Sequence, residues 1–174
     1  MRLLPSIGMG VALAGILLGG AVPAGRAAAA SPACKGSQLG GTFRGIAGSA
    51  GAGHISYALR LKNTSTTSCF VTGIPGLTLL DETGHRLPTH VRPAHPGALT
   101  AVLVTLAPGR SAIAEARFSP DVPGPGEQVM GACEQTAYKL RVTMPGGGTV
   151  LAPIAPATPV CEHGAMQLSV LTRA

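Results

Sequence analysis

Apolar and polar residues alternate along several short stretches of this 174-residue chain. The clearest alternation lies within residues 54–62, where the apolar positions are Ile55, Tyr57, Leu59 and Leu61. A two-residue period places successive side chains on opposite faces of a β-strand. We therefore predict a strand that buries Tyr57, Leu59 and Leu61 and exposes Arg60 and Lys62.

Further strand-like segments follow at short intervals, separated by turns rich in glycine and proline. They lie at 69–71, 77–80, 98–106, 111–118, 138–144, 149–151 and 166–170. The continuous apolar run at 98–106 predicts a strand buried on both faces or nearly so. Alternation at 138–144 predicts a half-buried strand with Tyr138, Leu140, Val142 and Met144 on one face. No segment of useful length has a helical period. The pattern predicts eight or nine short strands in an all-β, antiparallel β-sandwich of the immunoglobulin type.

Two longer segments interrupt this pattern and are predicted to be loops. Residues 88–97 contain too many prolines for a central strand, and residues 119–130 are rich in proline and glycine. Immunoglobulin-like sandwiches bind through their end loops or an exposed sheet face, so both loops are candidates for a contact surface. At the other end of the chain, residues 31–53 form a glycine-rich, flexible lead-in that holds a short possible strand at 42–44.

The N-terminal segment has the features of a signal peptide. A charge-free apolar run spans residues 7–22, and the alanines at 27–30 are small residues of the kind that signal peptidase accepts. Glycines dilute the run, which argues against a membrane anchor, and Pro32 argues against a lipid on Cys34. We expect a signal peptide at 1–30, a lead-in at 31–53 and the sandwich domain at 54–174, with the fold unit beginning at Cys34.

Charge and composition narrow the class of partner. Removal of residues 1–30 takes away Arg2 and Arg26 and lowers the formal net charge from +6 to +4. The remaining cations form no run, and the chain has only two tyrosines, three phenylalanines and no tryptophan. A nucleic-acid groove requires clustered cations and stacking rings, so we expect no nucleic-acid partner. Abundant alanine, glycine, proline and arginine are typical of a GC-rich bacterial genome.

Four cysteines, Cys34, Cys69, Cys133 and Cys161, follow the predicted signal peptide. An even number of cysteines in an oxidising compartment indicates two disulfides, and no pair has the spacing of a redox or zinc motif. Three connectivities are possible. We favour Cys34–Cys69 and Cys133–Cys161, because each would tie an irregular segment to a neighbouring strand.

Several local motifs occur together in this chain. They are a glycine-rich entry at 51–54, a strand ending in Leu-x-Asn-x-Ser at 61–65, Cys69, a Gly-x-Pro-Gly turn at 73–76, a Leu-Ala-Pro-Gly turn at 106–109, Cys133 and Cys161. In this combination the chain resembles a domain of unknown function that is common on exported proteins and lipoproteins of actinobacteria. The resemblance covers residues 34–171. It implies a secreted β-sandwich with disulfides and supplies no catalytic residue.

Candidate chemistry is sparse. His85, His90 and His95 recur every five residues and could offer imidazole ligands to zinc or copper. A spacing of five fits neither one face of a helix nor one face of a strand, so solvated loop histidines are the favoured interpretation. No serine lies in a G-x-S-x-G motif, and most of the seven acidic residues lie in predicted turns.

These observations favour a non-catalytic, secreted binding module with no cofactor and no membrane span after processing. Its expected partner is another exported protein, a component of the cell wall or a host factor. The alternative is an extracellular metal-binding protein that uses the loop bearing His85, His90 and His95.

Overall fold

The computed structural model describes residues 30–97 and 102–174. The predicted signal peptide, apart from Ala30, lies outside the described residues, as do residues 98–101 of the predicted strand at 98–106. No helix in the described part of the chain is long and apolar enough to cross a membrane.

The described residues form eleven β-strands and two very short helical segments, Gly36–Gln38 and Cys161–Gly164. The strands are β1 Leu39–Gly45, β2 Ile55–Asn63, β3 Cys69–Val71, β4 Gly76–Leu80, β5 His90–Pro93, β6 Val104–Leu106, β7 Ser111–Phe118, β8 Ala137–Thr143, β9 Thr149–Thr158, β10 Ala165–Leu168 and β11 Thr172–Arg173. The predicted all-β class is therefore confirmed.

The sheet topology differs from the antiparallel immunoglobulin-like sandwich that the sequence suggested. Eight strands follow one another in the order β4-β8-β9-β1-β2-β7-β10-β5, with β11 also paired to β7, and β3 and β6 form a separate two-stranded sheet. Strand β1 runs parallel to β9, and β10 runs parallel to β5. The result is one large mixed sheet, nearly closed on itself, beside a small one. Parallel partners here are far apart in sequence, and local patterning does not identify them.

Strands β2 and β7 lie side by side in the middle of the large sheet, paired from Ile55–Phe118 to Lys62–Ser111. As predicted, Tyr57, Leu59 and Leu61 are at most 1% exposed, while Arg60 and Lys62 face solvent. Inner-facing rings from three strands form an aromatic cluster, with Tyr57 centred 5.0 Å from Phe43 and 5.2 Å from Phe118. The two-residue period of β2 therefore separates a buried core face from an open, polar outer face.

The segment 31–53 contributes more regular structure than the lead-in proposed for it. Strand β1 extends the short strand expected at 42–44 to Leu39–Gly45 and lies between β9 and β2. Cys34 is buried and bonded to Cys69, and its N–H donates to the carbonyl oxygen of Phe70 at 2.8 Å. The other favoured disulfide, Cys133–Cys161, is also present.

Three predictions about strands are wrong. The segment 88–97, predicted to be a loop, contains the edge strand β5, since its prolines exclude only a central strand. Tyr138 is 39% exposed and lies where the pairing of β8 with β9 is irregular, since β9 advances from Thr158 to Pro153 while β8 advances only from Ala137 to Lys139. Among the described residues of the predicted strand at 98–106, Val104–Leu106 form a strand, and Val102 and Leu103 are 48% and 64% exposed. An apolar run alone does not ensure that a partner strand covers both of its faces.

Candidate functional site

The outer face of β7, β10 and β5 carries a shallow groove lined by polar side chains. The strand register aligns four residues in one row across this face, since Arg117 lies opposite both Ser56 and Gln167, and Gln167 lies opposite Arg92. Arg92, Arg117 and Gln167 are all exposed. This row places two guanidinium groups on either side of one amide.

The groove consists of two adjoining depressions of about 320 Å³ and about 280 Å³. Arg117 and Gln167 line both, so the depressions are continuous. The first is also lined by His54, Arg92, Ser119 and Glu162, and the second by His95, Glu115 and Ser169. Buried Phe118 and Met166 contribute to the first depression, so the groove lies directly over the core.

The sheet face around the groove is basic. Exposed cations extend from the groove across β2 and β1 at Arg60, Lys62 and Arg44, whereas Glu115 is the one carboxylate among the outward positions of β1, β2, β7 and β10. All ion pairs within the described residues involve a histidine, so no lysine or arginine there lies within 4.0 Å of a carboxylate. The cations of this face are therefore available to an external partner.

A second cluster forms where the loop 119–136 meets the segment Cys161–Gly164. The ring Nδ1 of His163 lies 3.4 Å from Glu127 Oε1 and 3.5 Å from Glu134 Oε1. The Glu127 side chain is only 2% exposed and accepts backbone N–H groups from Gly124 at 2.6 Å, from Glu162 at 2.8 Å and from His163. One buried carboxylate thus holds the loop against the segment that precedes β10.

The charges in this cluster reinforce one another. Burial alone would raise the pKa of Glu127, but the N–H donors of Gly124, His163 and Glu162 outweigh it and lower that pKa to about 2. The pKa of His163 is raised, chiefly because its Nε2 lies 3.0 Å from the carbonyl oxygen of Pro125, with further support from Glu127 and Glu134. The charged form of each group is therefore favoured by the other, and Glu127, Glu134 and His163 together form a clip between the loop and the segment before β10.

The structure does not bring His85, His90 and His95 together. His85 is held in the turn after β4, where its Nδ1 lies 2.7 Å from Thr83 Oγ1 and 3.4 Å from Asp81. His90 begins β5, and His95 lines the groove. Instead, the potential metal-ligand atoms that lie within 4.8 Å of one another in the described residues belong to Glu127, Glu134 and His163.

Residues 34–172 match the family model described as a domain of unknown function, DUF4232. The chain belongs to the DUF4232 family. No curated protein matches this DUF4232 chain, and no solved structure does.

The motifs that carried the resemblance have structural roles in this DUF4232 domain. Asn63 is fully buried, its Nδ2 donates to the carbonyl oxygens of Thr67 and Leu106 at 2.8 Å each, and its Oδ1 accepts from Ser65. This side chain closes the turn between β2 and β3 and ties it to β6. Asn63 is thus a buried turn residue.

The sequence did not single out Glu127, Glu134 or His163. One signal could have found two of them: Glu134 follows Cys133 and His163 lies two residues after Cys161, so the favoured disulfide already implied that they are neighbours. The groove had a weaker signal, since Arg92 and His95 lie in the segment 88–97 proposed as a contact surface. Arg117 and Gln167 join them only through the pairing of β7, β10 and β5.

Proposed function

We propose that this DUF4232 domain is a non-catalytic binding module that acts outside the cytosol, and that its contact site is the groove over β7, β10 and β5. The observation that carries the proposal is the continuous polar groove with unpaired Arg92 and Arg117 on either side of Gln167. The two disulfides support export, because such bonds persist in oxidising compartments. The partner is a component of the cell envelope or another exported protein.

The contacts of hydroxyl and thiol groups among the described residues favour binding over nucleophilic catalysis. Nucleophilic catalysis requires a hydroxyl or thiol within hydrogen-bond reach of a base. Such a pair occurs among the described residues between Thr83 and His85, but it lies in a surface turn where Asp81 accepts the Thr83 hydroxyl. The four cysteines are all in disulfides.

A bulky substitution in the groove tests the proposal. Gln167 points outwards, so Gln167→Trp should fill the groove without disturbing the core, and Leu151→Trp is a matched control at an exposed position of β9. We expect Gln167→Trp to reduce retention of the purified protein on isolated cell envelopes of the producing organism at least tenfold, while Leu151→Trp leaves it unchanged. Equal retention of the two variants would contradict the proposal.

A second candidate function is binding of a divalent metal, favoured by the three donor atoms of Glu127, Glu134 and His163. Carboxylate and imidazole are ordinary zinc ligands, and a carbonyl on the second ring nitrogen is a common way to orient a ligating histidine. Zinc titration of His163→Gln and of a triple His85, His90 and His95→Ala variant separates the two histidine sets. If zinc binds at the clip, zinc affinity should fall only in His163→Gln. A fall only in the triple variant would instead place the metal site on the loop bearing His85, His90 and His95.

A further inference from the structure

We propose that the row Arg92–Gln167–Arg117 binds the carboxylate or phosphate groups of an extended anionic polymer. This inference rests on the proposed function, since it names the ligand class of the same groove. The two sources of such groups, acidic polysaccharides and phosphate-bearing polymers, share the chemistry that the row recognises. The inference depends on the spacing of the cations, on their spread across the face, where they outnumber the groove carboxylates Glu115 and Glu162, and on the absence of exposed phenylalanine and tyrosine rings.

The spacing of the row suits one anionic group. Neighbouring strands lie about 4.8 Å apart, so Arg92 and Arg117, two strands from each other, have their backbones about 10 Å apart. Arginine side chains are long enough to converge above Gln167 from both sides. Guanidinium groups pair with carboxylate and phosphate oxygens through two parallel hydrogen bonds, and the Gln167 amide adds a neutral donor.

The other cations of this face indicate a polymer rather than a single small anion. Arg60 and Lys62 lie on β2 and Arg44 on β1, so Arg44 and Arg92 are four strand spacings apart, roughly 19 Å across the sheet. A single phosphate or carboxylate cannot reach both ends of this surface. A chain with repeated negative groups can, and each contact adds to the affinity.

A nucleic acid is the other common polyanion, and this face is poorly suited to it. Single-stranded nucleic acids bind through bases stacked on exposed aromatic rings as well as through phosphates. The rings of Phe43, Tyr57 and Phe118 are buried in the core, and exposed Tyr138 belongs to β8, at the other end of the sheet order. Within the described residues, the outer face of β1, β2, β7, β10 and β5 therefore presents no phenylalanine or tyrosine ring for stacking; the rings on and beside it are the imidazoles of His90, His54 and His95.

The test measures binding of the purified protein to polygalacturonate and to polyphosphate, with neutral dextran as a blank, at low and at physiological ionic strength. We expect binding to at least one polyanion, weakened by salt, and none to dextran. The double variant Arg92→Gln, Arg117→Gln should lose at least about tenfold in affinity, since charge-assisted hydrogen bonds are removed. The double variant Arg86→Gln, Arg110→Gln has the same change in net charge away from the groove and should lose less than about twofold.

The outcomes separate this inference from the proposed function. Binding to one polymer alone supports the inference and identifies the group. Equal losses in the two double variants, or tighter binding to a single-stranded oligonucleotide than to either polymer, would overturn it. If the protein binds neither polymer but Gln167→Trp still reduces its retention on cell envelopes, the proposed ligand class is wrong while the groove remains the binding site. If Gln167→Trp does not change retention on cell envelopes, the proposed function itself is wrong.

Discussion

At the scale of single residues, a few polar side chains hold together loops that have little regular structure. Glu127 gathers three backbone N–H groups from two separate segments and faces His163. Asn63 also holds a turn, the one after β2: its amide nitrogen donates to two backbone carbonyls, and its amide oxygen accepts the Ser65 N–H. Such residues matter because ordering the loops around them costs conformational entropy, which these buried hydrogen bonds help to offset.

Glu127 should make the stability of the protein depend on pH at the acid end. Its pKa falls from 4.5 to about 2 on folding, so its stabilisation is complete above pH 4.5 and is lost as the pH falls towards 2. Thermal unfolding from pH 7 to pH 2, with a chelator present, should show a steep fall below pH 4.5 that Glu127→Gln flattens. Glu82→Gln, at an exposed turn, is the control and should keep the wild-type slope. A wild-type slope in Glu127→Gln would show that the clip contributes no stability.

At the scale of elements, alternation along β2 is the feature that the sequence predicts best. Leu59 lies on the core face of β2 and is fully buried, whereas Lys62 on the other face is exposed. We expect Leu59→Ala to cost about 2–5 kcal/mol as a core truncation, and Lys62→Ala to change the stability by no more than about 0.5 kcal/mol. Urea denaturation of both variants measures the difference, and equal costs would mean that the burial of β2 is misassigned.

Other elements show why the rest could not be predicted in the same way. The irregular pairing at Tyr138 comes from extra residues on β9, and nothing in the sequence of β8 marks it. Strand β9 runs from Thr149 through Pro153 and Pro156, although prolines normally argue against a paired strand. The groove row and the Glu127–His163 clip combine residues from distant parts of the chain. Only strand pairing and a disulfide bring them together, and neither follows from local periodicity.

At the scale of the whole molecule, the parallel pairing of β5 and β10 depends on a close approach before both strands. Gly164 has a φ of +76°, and a Cβ atom there would overlap the carbonyl oxygen of Pro88. Gly164→Ala should therefore destabilise the protein by more than about 2 kcal/mol, through strain and steric overlap together. Gly51→Ala, where nothing lies within 4 Å of the added atom, should be nearly neutral. Chemical denaturation of the pair provides the measurement, and similar midpoints would contradict the close approach.

The order of strands in the large sheet also bears on how the molecule behaves at high concentration. Its two end strands, β4 and β5, are where a strand from another molecule could be recruited. On β4, the Leu79 N–H already donates to Thr89 Oγ1 and the Leu79 carbonyl accepts from Leu87, while β5 ends in Pro93, which has no N–H to offer. Both ends therefore resist edge-to-edge polymerisation, so the protein should stay free of strand-paired aggregates at high concentration.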